Sequence, residues 1–155
     1  MPKDNFHLVP RILAESKYFD ISQSEIERYL YETGEFEFEC DLEIEDAGEP
    51  VVVTVELRIR SRGYPHCTIA LLMHATRIDC IDRETKFTDE NGETKSGWHR
   101  HIWHGPSKQA DKQKRCIPDV EGADCLEEFL TRAFQVMNIT LNRNDHGLND
   151  ELRFN

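Results

Sequence analysis

Trp98-His99-Arg100-His101-Ile102-Trp103-His104 puts three imidazoles and both tryptophans of the chain into one short stretch. In a strand, successive side chains point to opposite faces. His99, His101 and Trp103 then share one face, and Trp98, Arg100, Ile102 and His104 the other. Two imidazoles on one face are the raw material for acid–base chemistry near neutral pH. RNA cleavage through the 2′-hydroxyl calls for such a pair, with His99 and His101 as acid and base and no metal or cofactor. Lys112, Lys114 and Arg115, just beyond, supply cations to bind the phosphate and stabilise developing charge. Trp103 offers a ring beside them. The bland alternative is an amphipathic strand whose histidines pack beside Trp103.

Charge favours an anion over a cation as what this segment meets. The chain of 155 residues carries a net charge of −11. Residues 95–115 hold Lys95, Arg100, Lys108, Lys112, Lys114 and Arg115 against Asp111, a local balance of +5, which leaves −16 for the rest. An acidic body repels bulk polyanions and argues against a general nucleic-acid coat protein. A divalent metal on His99 and His101, completed by His66, His74 or Asp111, is a further alternative. The H-x-H pattern also resembles that of cupins. The acidic ligand expected a few residues on is absent, because Gly105-Pro106-Ser107-Lys108 stands there.

A non-enzymatic reading rests on another segment. From Glu35 to Glu45, Phe36, Phe38, Cys40, Leu42 and Ile44 alternate with Glu35, Glu37, Glu39, Asp41, Glu43 and Glu45. Same-face carboxylates on a strand repeat every ~6.5–7 Å, roughly the spacing of successive phosphates. Glu37, Glu39, Asp41 and Glu43 would then mimic a nucleic-acid backbone and dock a basic protein partner, as an antitoxin-like or anti-defence inhibitor does. The bland alternative is a solvated sheet face kept soluble by charge. Enzyme and binding module both stay open.

The elements around these segments are well signalled. Ser22 and Glu25 form a capping box, Ile21 and Ile26 fit a hydrophobic staple, and Gly34 fits the left-handed position closing a helix. Val51 to Arg60 alternates and makes a hairpin with the acidic strand. Antiparallel register brings Arg58 and Arg60 near Glu35, Glu37 or Glu39. Thr68 to Asp79 is a third strand, with a phase shift that predicts a bulge near Thr76. Residues 82–97 are polar, contain the turn signal Asn91-Gly92, and are expected as a long hairpin loop. Cys116-Ile117-Pro118 adds a short edge strand. Asp124 and Glu127 are expected to cap a final helix carrying Leu126, Phe129, Leu130, Ala133, Phe134 and Met137. Residues 138–155 are expected as an irregular tail.

The length suits one domain over residues 1–155. The predicted class is α+β: an antiparallel meander of four to five strands packed against an N-terminal and a C-terminal helix. The start lacks the apolar core of a signal peptide, and no apolar run is long enough to span a bilayer. A cytoplasmic location without membrane contact is the expectation. Five cysteines, an odd number without C-x-x-C, argue for reduced thiols rather than a disulfide framework.

Two stretches resemble an uncharacterised family of small bacterial and phage-borne proteins. One is Asn91-Gly92, then Gly97-Trp98-His99-Arg100-His101-Ile102-Trp103, then Asp111-Lys112; the other is Glu128-Phe129-Leu130 followed by Asn138-Ile139. The order of elements is also similar to that of small toxins from toxin–antitoxin pairs, with a His-rich strand before a C-terminal helix. The resemblance covers roughly the last half of the chain. It departs where Gln113-Lys114 replaces the Trp-Ala expected after the Asp-Lys pair, and it implies no assigned activity.

Overall fold

The computed structural model describes residues 6–60, 66–102, 114–117, 120 and 122–142. Among these, the order is helix α1 (Val9–Ala14), strand β1 (Lys17–Phe19), helix α2 (Gln23–Thr33), strands β2 (Glu35–Leu42), β3 (Val51–Ile59), β4 (Cys67–Met73), β5 (Thr76–Thr88), β6 (Thr94–Ile102) and β7 (Lys114–Cys116), helix α3 (Leu126–Val136) and strand β8 (Ile139–Leu141). Among the described residues, β2 to β7 form a six-stranded antiparallel sheet in chain order, and β1 and β8 pair as a second, parallel sheet. The class is α+β, with helices on the antiparallel sheet as expected; the sheet is wider than four to five strands.

Side-chain alternation makes one face of the sheet the core. Val51, Val53, Val55 and Leu57 of β3 and Cys67, Ile69, Leu71 and Met73 of β4 are buried. They meet Ile26 and Leu30 of α2 and Phe129, Leu130 and Ala133 of α3 in one cluster. The helix α2 begins and ends as its residues dictate. Ser22 Oγ accepts from the Glu25 N–H at 3.1 Å, and Gly34 takes φ +84° while its N–H donates to the Leu30 carbonyl. The other face of the sheet, the outer face, carries the charged alternates.

Four expectations are corrected. Thr68 to Asp79 is not one strand with a bulge near Thr76: the chain reverses at His74-Ala75, which ends β4 and begins β5. Residues 82–97 are not a loop: β5 runs to Thr88 and β6 starts at Thr94, so the polar stretch forms the arms of a long hairpin. Lys86, Thr88, Thr94, Lys95 and Ser96 are exposed, which removes the apolar alternation that signals a strand, while the backbone ladder continues. The turn is tied by Asp89 Oδ1, which accepts from the Asn91 and Glu93 N–H groups at 2.9 and 2.8 Å. The tail is not irregular from residue 138. Ile139–Leu141 forms β8 beside β1, and residues 143–155 lie outside the described ones. The helix α3 starts after an extended Cys125 with no side-chain cap, and Glu128 Oε1 accepts from the Asp124 N–H at 2.9 Å. The expected pairing of Asp124 with Glu127 is therefore shifted by one residue.

Candidate functional site on the outer face of the sheet

Register decides which reactive side chains meet. His99 stands opposite Asp82 of β5 and Cys116 of β7; His101 stands opposite Cys80 and Lys114. Cross-strand partners share a face, so His99 and His101 are on the outer face with Asp82. Trp98 and Arg100 turn inward. Trp98 is 3% exposed and stacks on Phe129 of α3, with centroids 4.3 Å apart.

Exposure splits the imidazole pair. His99 is 3% exposed, with its ring 4.5 Å from that of Phe87. Phe87 reaches the outer face because the β5–β6 register shifts between Glu84 and Phe87. His101 is half-buried, the more accessible of the two imidazoles. Lys114 and Arg115 flank the His strand as residues of β7, opposite His101 and Arg100. Lys112 and Trp103, also expected at the site, lie outside the described residues.

The acidic row shares this outer face at the far edge of the sheet. Glu35, Glu37, Glu39 and Asp41 of β2 are exposed, and so is Glu43 just beyond it. Glu35 pairs in register with Arg58, as expected, whereas Glu37 pairs with Glu56 and Glu39 with Thr54. The like charges of Glu37 and Glu56 are offset by two guanidiniums. Arg58 and Arg77 each place Nη2 3.6 Å from a different oxygen of Glu56. Four strand spacings of ~4.8 Å separate the acidic row from the His strand, roughly 19 Å.

Between them lies a feature that sequence reasoning missed. A groove of about 380 Å³ on the outer face is lined by Arg58, Arg60, Thr68, Arg77 and Asp82, with Glu35 and the end of α2 at its rim. Asp82 Oδ1 accepts from Thr68 Oγ1 at 3.0 Å and from the Arg83 N–H at 2.8 Å. Arg58 and Arg60 are visible in the sequence as outward residues of β3. Arg77 joins them only because the β4–β5 register shifts between Leu71 and Leu72, which brings it opposite Leu72.

A second unexpected group is buried beneath the sheet. Asp79 is 0% exposed on the core face; Arg100 Nε donates to its Oδ1 at 2.9 Å and Nη2 to its Oδ2 at 2.6 Å. Lys17, also 0% exposed, donates from Nζ to the carbonyls of Leu13, Glu15 and Met137 at 3.3, 2.8 and 2.9 Å. Burial brings its ammonium down to about 8, and the nearby Asp79 carboxylate partly opposes that shift. Asp79 and Lys17 are sealed from solvent, Arg100 is only partly covered, and Lys17 ties the segment before β1 to the end of α3. Burial likewise pushes the Cys67 and Cys80 thiols up to about 12, which makes them inert. Cys116 and Cys125 are exposed.

Among the described residues no three His, Cys, Asp or Glu side chains gather as a metal would require, and no helix is long and apolar enough to cross a membrane. Comparisons with protein families, curated proteins and solved structures found no match to this chain.

Proposed function

We propose that the outer face handles a phosphate-bearing ligand, with RNA as the class and the His strand as the reacting edge. The observation that carries this reading is the register, which aligns His101, Asp82 and the arginine-lined groove on one face. The half-buried His101 takes the proton from a 2′-hydroxyl. The freed oxygen attacks the adjacent phosphorus as the bond to the 5′ oxygen breaks. The imidazolium returns its proton to that 5′ oxygen, leaving a 2′,3′-cyclic phosphate and a 5′-hydroxyl. His99 backs this strand from behind Phe87, so His101 performs both proton transfers.

The test is incubation of the purified chain with unstructured RNA in the presence of a chelator. Cleavage to cyclic-phosphate ends is expected, and His101→Ala lowers the rate at least ~100-fold. Cleavage that His101→Ala leaves unchanged overturns the assignment.

A second reading has its own observation. Glu37, Glu39 and Asp41 are all exposed on β2, an edge strand, and suit a basic protein partner. Under this reading the chain is an acidic binding module. A cellular effect that survives His99→Ala with His101→Ala, but is lost when Glu37, Glu39 and Asp41 become Lys, selects the module over the enzyme.

A further inference from the structure

We infer that the groove between β3, β4 and β5 is a ribonucleotide subsite, in which Arg58, Arg60 and Arg77 hold a phosphate and Asp82 accepts from a sugar hydroxyl. This rests on the reading that the outer face handles RNA, and it adds where and how the chain is gripped.

The guanidiniums are held differently. Arg58 and Arg77 lean on the same carboxylate, Glu56, from two sides at 3.6 Å each. Both remain largely exposed, with side-chain exposures of 58% and 45%. Such long, screened contacts hold little energy, so the guanidiniums can turn toward a phosphate while Glu56 keeps them in place. Arg60 is exposed and enters no ion pair among the described residues. Guanidinium forks match phosphate oxygens bidentately.

A simple anion site would exclude carboxylates, yet this groove contains Asp82. Its described hydrogen bonds both fall on Oδ1. Thr68 and the Arg83 N–H therefore fix the carboxylate while Oδ2 remains as an acceptor. A ligand that offers an anion on one side and a hydroxyl donor on the other satisfies both halves. A ribonucleotide does so with its phosphodiester and its 2′-hydroxyl, which stand farther apart than the oxygens of a single phosphate ion. The volume of about 380 Å³ suits a ligand of that size. Thr68 lies on β4 and His101 on β6, two strand spacings across and two residues along, or ~12 Å apart. A single strand of RNA held in the groove therefore reaches His101 within about two phosphates.

The test is fluorescence anisotropy with a labelled single-stranded ribo-oligonucleotide of ~6 residues. The full chain carries His101→Ala so that the probe stays whole. Combined Arg58→Ala and Arg77→Ala is expected to weaken binding at least ~10-fold and to flatten the log K against log salt slope by about 1.4, two contacts' worth. Arg60→Ala, which breaks no described ion pair, weakens binding without a change in melting temperature. Arg28→Ala, on the exposed side of α2, changes neither quantity. Asp82→Asn reduces the preference for RNA over DNA of the same sequence. Unchanged RNA affinity in the arginine variants overturns the subsite and leaves the outer-face reading standing. Binding of inorganic phosphate alone overturns the nucleotide assignment. Binding of neither probe overturns both.

Discussion

The β4–β5 turn shows how a single residue can carry backbone strain. His74 and Ala75 adopt φ of +52° and +63°, the left-handed region that a tight two-residue hairpin demands. Ala pays a steric penalty there of roughly 1–2 kcal/mol that glycine avoids. Glycine gives back part of this through its freer unfolded chain. Ala75→Gly is therefore expected to stabilise the protein by about 0.5–1 kcal/mol, read as a higher urea midpoint at constant slope. A lower midpoint would refute the strain. Asn138, at φ +57°, shows the opposite case. Its amide Nδ2 donates to the Leu13 carbonyl at 2.9 Å, and its own carbonyl accepts from the Lys17 N–H at 2.8 Å. The Asn-Ile step noticed in the sequence is the joint at which α3 stops and β8 begins. Its spacing in the sequence was legible; its partners, more than a hundred residues away, were not.

At the scale of elements, β5 and β6 are the pair on which the site depends. They position Asp82, His99 and His101 on one face and are bolted together on the other by Asp79 and Arg100. Removing one partner of a buried ion pair leaves the other charge unsatisfied in a poorly solvating interior. Asp79→Ala is expected to cost about 3–5 kcal/mol, measured by equilibrium unfolding, and to depress any activity at His101 through the strand rather than the chemistry. A loss under 1 kcal/mol would mean that the pair does not anchor the hairpin. The alternation of β2 and β3 made those strands and their register readable, down to Glu35 opposite Arg58. Of the two register shifts, the β4–β5 one was signalled only as a bulge near Thr76 within a single strand, and the β5–β6 one not at all, because a register shift follows from how two strands meet. One of them turns Phe87 over His99, and the other sets Arg77 beside the groove.

For the whole molecule, Lys17 joins two segments more than a hundred residues apart. It lies on β1, pairs in register with Ile139 of β8, and donates to Met137 at the end of α3. Its ammonium titrates near 8 in the fold and near 10.5 in the unfolded chain, chiefly because burial disfavours the charge. Between those values the unfolded chain binds more protons, so this group's contribution to stability rises as pH climbs from about 8 to 10.5 and is flat below. Unfolding free energies of the protein and of Lys17→Met, compared across that range, should therefore diverge in favour of the natural chain as pH rises. A difference that is constant with pH would show that Lys17 is not buried as a cation. Composition and periodicity by themselves determined the class of fold, the acidic strand, the helix α2 and the clustering of histidines, because each is written in the spacing of neighbours along the chain. Only tertiary structure decided that His99 is buried and His101 half-buried, that Arg100 closes on Asp79, and that Arg58, Arg60 and Arg77 share a groove. Those outcomes depend on register, bulges and burial, which arise only where segments distant in sequence come together.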